Sequence, residues 1–398
     1  MIVGELSDLS NVISIGADDS RGGWEMRFRV LGDTDAIDVN QRVLFQWSPL
    51  MGYDYLYGWD GRWWTGFDGY IMPFRFTFDA AGSQTSAIAE TSDGFLRRSW
   101  CQGIGFQDRD DTARDHYHQF DSVTGGGERM TMGRIVRHLL GYYDTLGVPP
   151  ATNPDWVAHT NFVYHATQNP HGWMTLDYVT TEPFAWPGTP DGSMRVDRYI
   201  VRESKNLWQT LRQIANNEFF VAYFDKHDRF HYKRHPMFAA SPPGAVCAFT
   251  PRLVVGKPVV IRRATDQIRQ VVLHAVTDSA TTLHSEYPSS ATHQYGNIHE
   301  QTYIRCNSQD ALDWWAQVLY QFKNRPYTVQ WTLPGYAGLL FEINDPVAIT
   351  YSGTSRNGVH LEWYNDKFWI SNIMVYPRGQ NTTAVSVLTL ESDNGVSP

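Results

Sequence analysis

Between Tyr327 and Leu333 the chain reads Tyr-Thr-Val-Gln-Trp-Thr-Leu, an unbroken alternation of apolar and polar residues. Successive side chains of a β-strand point to opposite faces, so this run gives a strand one face for a core; wound as a helix it would scatter its apolar groups all round. The same period governs Trp24 to Val30 and Phe74 to Phe78. Shorter strand candidates occupy Arg42 to Trp47, Gln270 to Val276, Val347 to Tyr351, Phe368 to Val375 and Ala384 to Glu391. The aromatic run Tyr53 to Trp64 is broken at Gly58 and Asp60-Gly61, and Asp-Gly pairs there and at Asp68-Gly69 predict hairpin turns. These segments describe a small antiparallel barrel or sandwich at each end of the chain.

The stretch between them differs. From about Trp100 to Asp197 many Gly, Pro and His residues interrupt the pattern, and the runs Pro149 to Trp156 and Pro183 to Asp191 read as long loops suited to contacts. One helix is expected to start near Thr131 as cap, with Ile135, Leu139 and Tyr142 or Tyr143 on one face. Next comes a compact α+β unit. Ser204 is the expected cap of a helix whose Leu207, Leu211, Ile214 and Ala215 form a stripe, followed by a hairpin from Phe219 to His231 with Asp225-Lys226-His227-Asp228 as its turn. Ser241-Pro242-Pro243-Gly244 ends the unit or opens a connection. A third helix, with Asn307 as cap and Asp310 in its first turn, aligns Leu312, Trp315, Ala316, Leu319 and Phe322. Its face is expected to pack on the sheet containing Tyr327 to Leu333.

The fold class that follows is mainly β with α+β: two antiparallel β-barrel domains flanking an α+β middle region. The divisions are a first barrel at 1–99, an inserted loop-rich domain at 100–200, the helix-plus-hairpin unit at 201–262, and a second barrel with one packed helix at 263–398. A chain of 398 residues has the material for several packed units. Its 15 Trp, 21 Tyr and 20 Phe favour broad sheet surfaces and large subunit contacts.

Charge and cysteine usage exclude several function classes. With 42 acidic against 33 basic residues, net -9, the surface is not built to hold nucleic acid by neutralising phosphates. Cys101, Cys247 and Cys306 are odd in number and far apart, so they make neither a disulfide framework nor a CxxC zinc site and read as small buried residues. The start, MIVGELSDLSNVISIG, lacks the basic and apolar regions of a signal peptide, and no stretch approaches eighteen apolar residues. Folding in a cytoplasm without a membrane span is expected.

Chemistry is sparse. The polar run Asp108-Arg109-Asp110-Asp111 with Asp115-His116-Tyr117-His118 has metal-ligating residue types, but the two-residue His spacing shares a face only in a strand; a solvated loop or interchain contact is the alternative. His159, His165 and His171 sit at irregular spacing, as in ordered loops. Thr124-Gly125-Gly126-Gly127-Glu128 lacks the Lys-Ser/Thr of a phosphate loop. No GxSxG, SxxK pair or activated Cys is present. The expectation is therefore no catalytic, cofactor-binding or metal residues, no cofactor, and no enzymatic activity. The YDYLYGWDGRWW run at Tyr53 to Trp64 keeps a sugar-stacking platform open beside core or interface use.

Several segments resemble the baseplate hub, or tail-tip hub, proteins of tailed bacteriophages and contractile injection systems. They are Ser204 to Ala215 leading into Phe220 to Phe230; the helix Ala311 to Phe322 with strand Tyr327 to Leu333, Pro334-Gly335 and Glu342 to Val347; Phe368 to Ile373 with Thr382 to Glu391; and, at the start, Val12 to Ile15 with Trp24 to Val30. Residues 100–200 carry no part of the likeness. The resemblance implies two tail-tube-like barrels per chain and a homotrimer whose pseudo-sixfold ring meets a sixfold tail tube or distal tail protein ring. A threefold central spike or fibre protein would dock below, with the tape measure protein as a further partner. Such a ring surrounds the DNA path without binding DNA tightly, and its location is the virion, after assembly in the host cytoplasm. The rival readings are a virion-associated polysaccharide or cell-wall hydrolase, which needs two carboxylates converging in a cleft, and a carbohydrate-binding adhesin, which needs exposed aromatics along a groove.

Overall fold

The computed structural model describes residues 12–31, 38–47, 64–72, 75–79, 82–98, 117–121, 130–131, 136, 195–196, 198–202, 206–218, 220–235, 244–262, 268–276, 281–289, 297–305, 309–325, 327–354, 360–377 and 384–393. The first strands are β1 (Val12–Asp18), β2 (Gly23–Leu31), β3 (Arg42–Trp47), β4 (Trp64–Ile71), β5 (Arg75–Asp79) and β6 (Gly82–Glu90), followed by helix α1 (Asp93–Arg98). Short strands β7 (Tyr117–Asp121), β8 (Met130–Thr131), β9 (Arg195–Val196) and β10 (Arg198–Arg202) precede helix α2 (Leu207–Glu218) and the hairpin β11 (Phe220–Phe224) and β12 (Phe230–Arg234). Then come β13 (Cys247–Phe249), β14 (Val259–Arg262), β15 (Ile268–Val276), β16 (Thr282–Tyr287), β17 (Asn297–Arg305) and helix α3 (Gln309–Lys323). The last strands are β18 (Tyr327–Pro334), β19 (Pro346–Thr354), β20 (His360–Tyr376) and β21 (Val385–Ser392). The protein is mainly β and mainly antiparallel.

Twelve strands make one sheet in the order β14-β18-β21-β20-β1-β2-β6-β4-β3, with β5 on β6, β19 on β20 and β13 on β19. The first and last β units meet at β1 and β20, which pair antiparallel with Ile15 opposite Val375 and Ala17 opposite Ile373. Gly16 sits in this seam, where a Cβ would collide with the Ile373 carbonyl oxygen. Alternation places the core as the sequence predicts: Tyr327, Val329, Trp331 and Leu333 of β18 are buried while Gln330 is exposed. Trp24, Met26 and Phe28 of β2 bury the same way. Asp68-Gly69 is not a turn. Both residues lie within β4 opposite Leu44 and Val43, and Asp68 holds its place through ion pairing with Arg42 of the neighbouring strand.

The described residues form two cores. One lies on the main sheet and contains Trp24, Phe28, Trp331, Trp363 and their neighbours. The other gathers α2, α3, β15 and one face of the β11–β12 hairpin. β11 is buried along its whole length because its faces serve different cores: Phe220, Ala222 and Phe224 belong to the helical one, Val221 and Tyr223 to the sheet. An all-apolar five-residue strand is what such a double burial requires. Packing runs across the sequence divisions, since β13 and β14 join the main sheet while β15 and α3 join the helical core.

The apolar faces of α2, and of α3 through Leu319, are as expected, but one partner and one cap are not. Leu207, Leu211, Ile214 and Ala215 of α2 are buried, and so are Leu312, Trp315, Ala316 and Leu319 of α3. α3 packs on β15 and β16, whereas Tyr327 to Leu333 belongs to the other core, which corrects the expected packing. The cap of α2 is Asn206, whose Oδ1 accepts the Gln209 N–H at 2.7 Å; Ser204 lies outside the described residues, as does Asn307. Thr131 is a strand residue opposite Arg195 and helical Val136 is buried in the second core, while the helix start between them lies outside the described residues. Cys247 is free and only partly buried; Cys101 and Cys306 fall outside the described residues.

Candidate functional site

Of the residues that sequence reasoning weighed for chemistry, most lie outside the described structure: Asp108 to His116, Thr124 to Glu128, His159, His165 and His171. His118 is in β7, opposite Val201 of β10. From the aromatic run only Trp64 is described; it is half exposed and meets Trp47 edge-on at 5.9 Å. Among the described residues no group of three or more His, Cys, Asp or Glu side chains converges.

The densest polar constellation among the described residues is one the sequence did not signal, because its members come from five distant segments. It starts at the β1–β2 turn. Gly22 adopts φ +77°, and a Cβ there would lie 2.6 Å from the Trp208 ring and 2.9 Å from the Ala222 carbonyl oxygen, so only glycine fits. The Phe224 N–H donates to the Gly22 carbonyl at 2.9 Å, Trp208 Nε1 donates to the Arg21 carbonyl at 2.8 Å, and Arg212 donates to the Asp19 carbonyl at 2.5 Å. The turn is thereby locked onto α2 and the β11–β12 hairpin.

The Arg21 side chain reaches the other way, ion-pairing with Glu25 and Glu90. Arg97 of α1 meets Glu90 at 2.6 Å and Asp93 at 3.1 Å. Asp93 is fully buried; burial pushes its pKa up to about 6 against the pull of Arg97, the Thr91 hydroxyl and Arg21. The hairpin turn supplies the next layer. Asp228, at φ +60°, accepts hydrogen bonds from Ser92 N–H at 2.5 Å and Ser92 Oγ at 2.6 Å, and its pKa lies well above the ordinary carboxylate value because it is buried with Asp68 and Asp93 nearby. Asp225 is buried too, but hydrogen bonds from His231 and the Arg229 N–H outweigh that burial and hold its pKa low.

The last segment is the loop before β19. Glu342 accepts from Trp24 Nε1 at 2.9 Å and lies 3.4 Å from Lys226 Nζ, which also donates to the Leu339 carbonyl at 2.7 Å. Burial raises the Glu342 pKa to about 8, with Asp225 and Asp345 adding to the rise and Lys226 and Trp24 opposing it. Trp24 and Glu342 are 318 positions apart in sequence, so this contact ties the first β unit to the last.

Chemically the constellation is a joint. Glu25, Glu90 and Asp93 share Arg21 and Arg97 as counter-charges, which ties the β1–β2 turn to β6 and α1. It does make stability pH-dependent. A carboxyl whose folded pKa exceeds its unfolded one binds extra proton in the folded state, so its contribution is full below about 4.5 and is lost as pH rises towards about 8 for Glu342. Glu342→Gln should therefore flatten the fall in urea midpoint between about pH 5 and 8. An unchanged slope would show that Glu342 does not hold the proton.

No family model matches the chain, and no curated protein matches it by sequence. Solved structures do. The tail protein of Neisseria meningitidis superposes with a TM-score of 0.57 at 12 % identity, over 97 % of this chain and 93 % of that one. The fold is that of phage tail proteins. The 43 kDa tail protein of prophage MuSo2 from Shewanella oneidensis gives 0.55 at 12 % identity over 97 % and 95 % of the two chains. Prophage tail protein gp18 from Listeria monocytogenes gives 0.51 at 10 % over 98 % and 90 %. The likeness covers nearly the whole of this chain. None of the described helices is long and apolar enough to cross a membrane.

Proposed function

We propose that this chain is the structural hub of a phage tail tip: a homotrimer whose ring joins the sixfold tail tube, or a distal tail protein ring, to a threefold spike or fibre and encircles the DNA path. The observation that carries the reading is the whole-chain likeness to phage tail proteins, 97 % of this chain against 93 % of the Neisseria one. The net charge of -9 suits a lumen through which DNA slides without sticking. On this reading the protein resides in the virion, assembles in the host cytoplasm with the tape measure protein as neighbour, and has no catalytic role.

The end of the main sheet supports assembly between copies. β14 closes the sheet on one side, pairing only β18 among the described strands, and its Val259 and Ile261 are 53 % and 48 % exposed. A free strand edge with apolar side chains invites association unless another surface covers it. Native mass spectrometry of the purified chain, alone and with its tail partners, should show a threefold species. Ile261→Asp should weaken that species while leaving the monomer folded. A stable two-fold dimer with no ring in the assembled particle would overturn the hub reading.

A further inference from the structure

We propose that His274 and His284 form a binding site for a zinc-class divalent cation, independent of the hub role. The two residues sit directly opposite each other on the antiparallel strands β15 and β16. Val271, Leu273 and Ala275 of β15 point into the core, so His274 faces outward, and its partner in register does the same. Their Nδ1 atoms are 3.2 Å apart and their ring centroids 4.8 Å. Two imidazole nitrogens bound about 2.1 Å from one ion, at an angle between octahedral and tetrahedral, stand roughly 3.0 to 3.4 Å apart. The observed spacing is the one a shared cation needs.

The far side of each ring is also arranged for ligation. His284 Nε2 lies 2.8 Å from Glu286 Oε1, and His274 Nε2 lies 3.5 Å from Glu300 Oε1. A carboxylate at Nε2 favours the tautomer that carries its proton there, which leaves the Nδ1 lone pair for a metal, the usual second layer around ligating histidines. Here both rings have a carboxylate on the Nε2 side, and the two Nδ1 atoms lie side by side at the distance that two ligands of one ion take. Without an ion, one Nδ1 carries a proton and donates to the other, and the cation takes the place of that proton. The backbone beneath is held as well: the Gln309 side chain, at the start of α3, donates to the His284 carbonyl at 2.8 Å. Both histidines are about half exposed, so water completes the coordination shell. Paired imidazoles select zinc, copper or nickel over magnesium or calcium.

The test is calorimetric titration of the full chain with zinc chloride. Wild type should bind one equivalent that is absent in His274→Ala and again in His284→Ala, and Glu286→Gln should weaken it about tenfold. Because the chain has 14 histidines, the difference between wild type and variants is the readout, not total uptake. Thermal melting with and without zinc gives a second measure: the metal should raise the midpoint of wild type and not of His284→Ala. An isotherm unchanged by either alanine, one lost in only one of them, or no binding in wild type would overturn the site. Each result leaves the oligomeric test of the hub untouched.

Discussion

Trp315→Ala should cost about 3 to 5 kcal/mol of stability, while Trp314→Ala should cost far less. The two residues are neighbours in α3, and the helix turns them to different surroundings: Trp315 is 2 % exposed within the helical core, and Trp314 is only partly buried against it. Removing the Trp315 ring leaves a cavity bounded by Leu312, Leu319 and the strands β15 and β16, which close sheet pairing keeps from collapsing. A loss of this size is a large part of the stability of an ordinary domain. Chemical denaturation of both variants measures it. Equal losses, or a larger one for Trp314, would mean that α3 presents a different face to the sheet.

Arg21→Met should be comparably damaging, at about 3 to 5 kcal/mol, for an electrostatic reason. The guanidinium is the shared partner of Glu25 and Glu90 and lies 3.9 Å from fully buried Asp93, so its removal leaves Glu90 and Asp93 sharing Arg97 alone and Glu25 with only the exposed Arg27. Burying unpaired charge costs more than the pair itself contributes. The double variant Arg21→Met with Glu90→Gln should therefore be less destabilised than the sum of the two single changes. Strict additivity in that cycle would show that the arginine acts only through packing.

The two predictions differ in how visible their basis is in the sequence. The face of α3 can be read from Leu312, Trp315 and Leu319 at helical spacing, because burying a stripe is a local matter of period. The Arg21 network cannot. Arg21, Glu25, Glu90 and Arg97 look like ordinary surface charges until β2 and β6 pair and bring Glu25 opposite Glu90. The metal pair was equally hidden, since His274 and His284 are ten residues apart and meet only through the register of one hairpin. Asp68-Gly69 misled in the other direction: turn chemistry was present, but pairing with β3 kept the chain extended.

Taken by itself, the sequence determined that the protein is β-rich, which face of each strand and helix is apolar, and where the β11–β12 hairpin turns. All of these follow from side-chain period and local backbone preference. Only the tertiary structure decided what each apolar face meets. β1 pairs with β20 across some 350 residues, α3 turns its stripe to β15 and β16 rather than to the adjacent β18, and five segments converge on the Arg21–Glu342 joint. An apolar stripe specifies that it must be covered but not by which partner, and a strand edge accepts any backbone of suitable register, so these choices rest on the sum of packing over the whole chain.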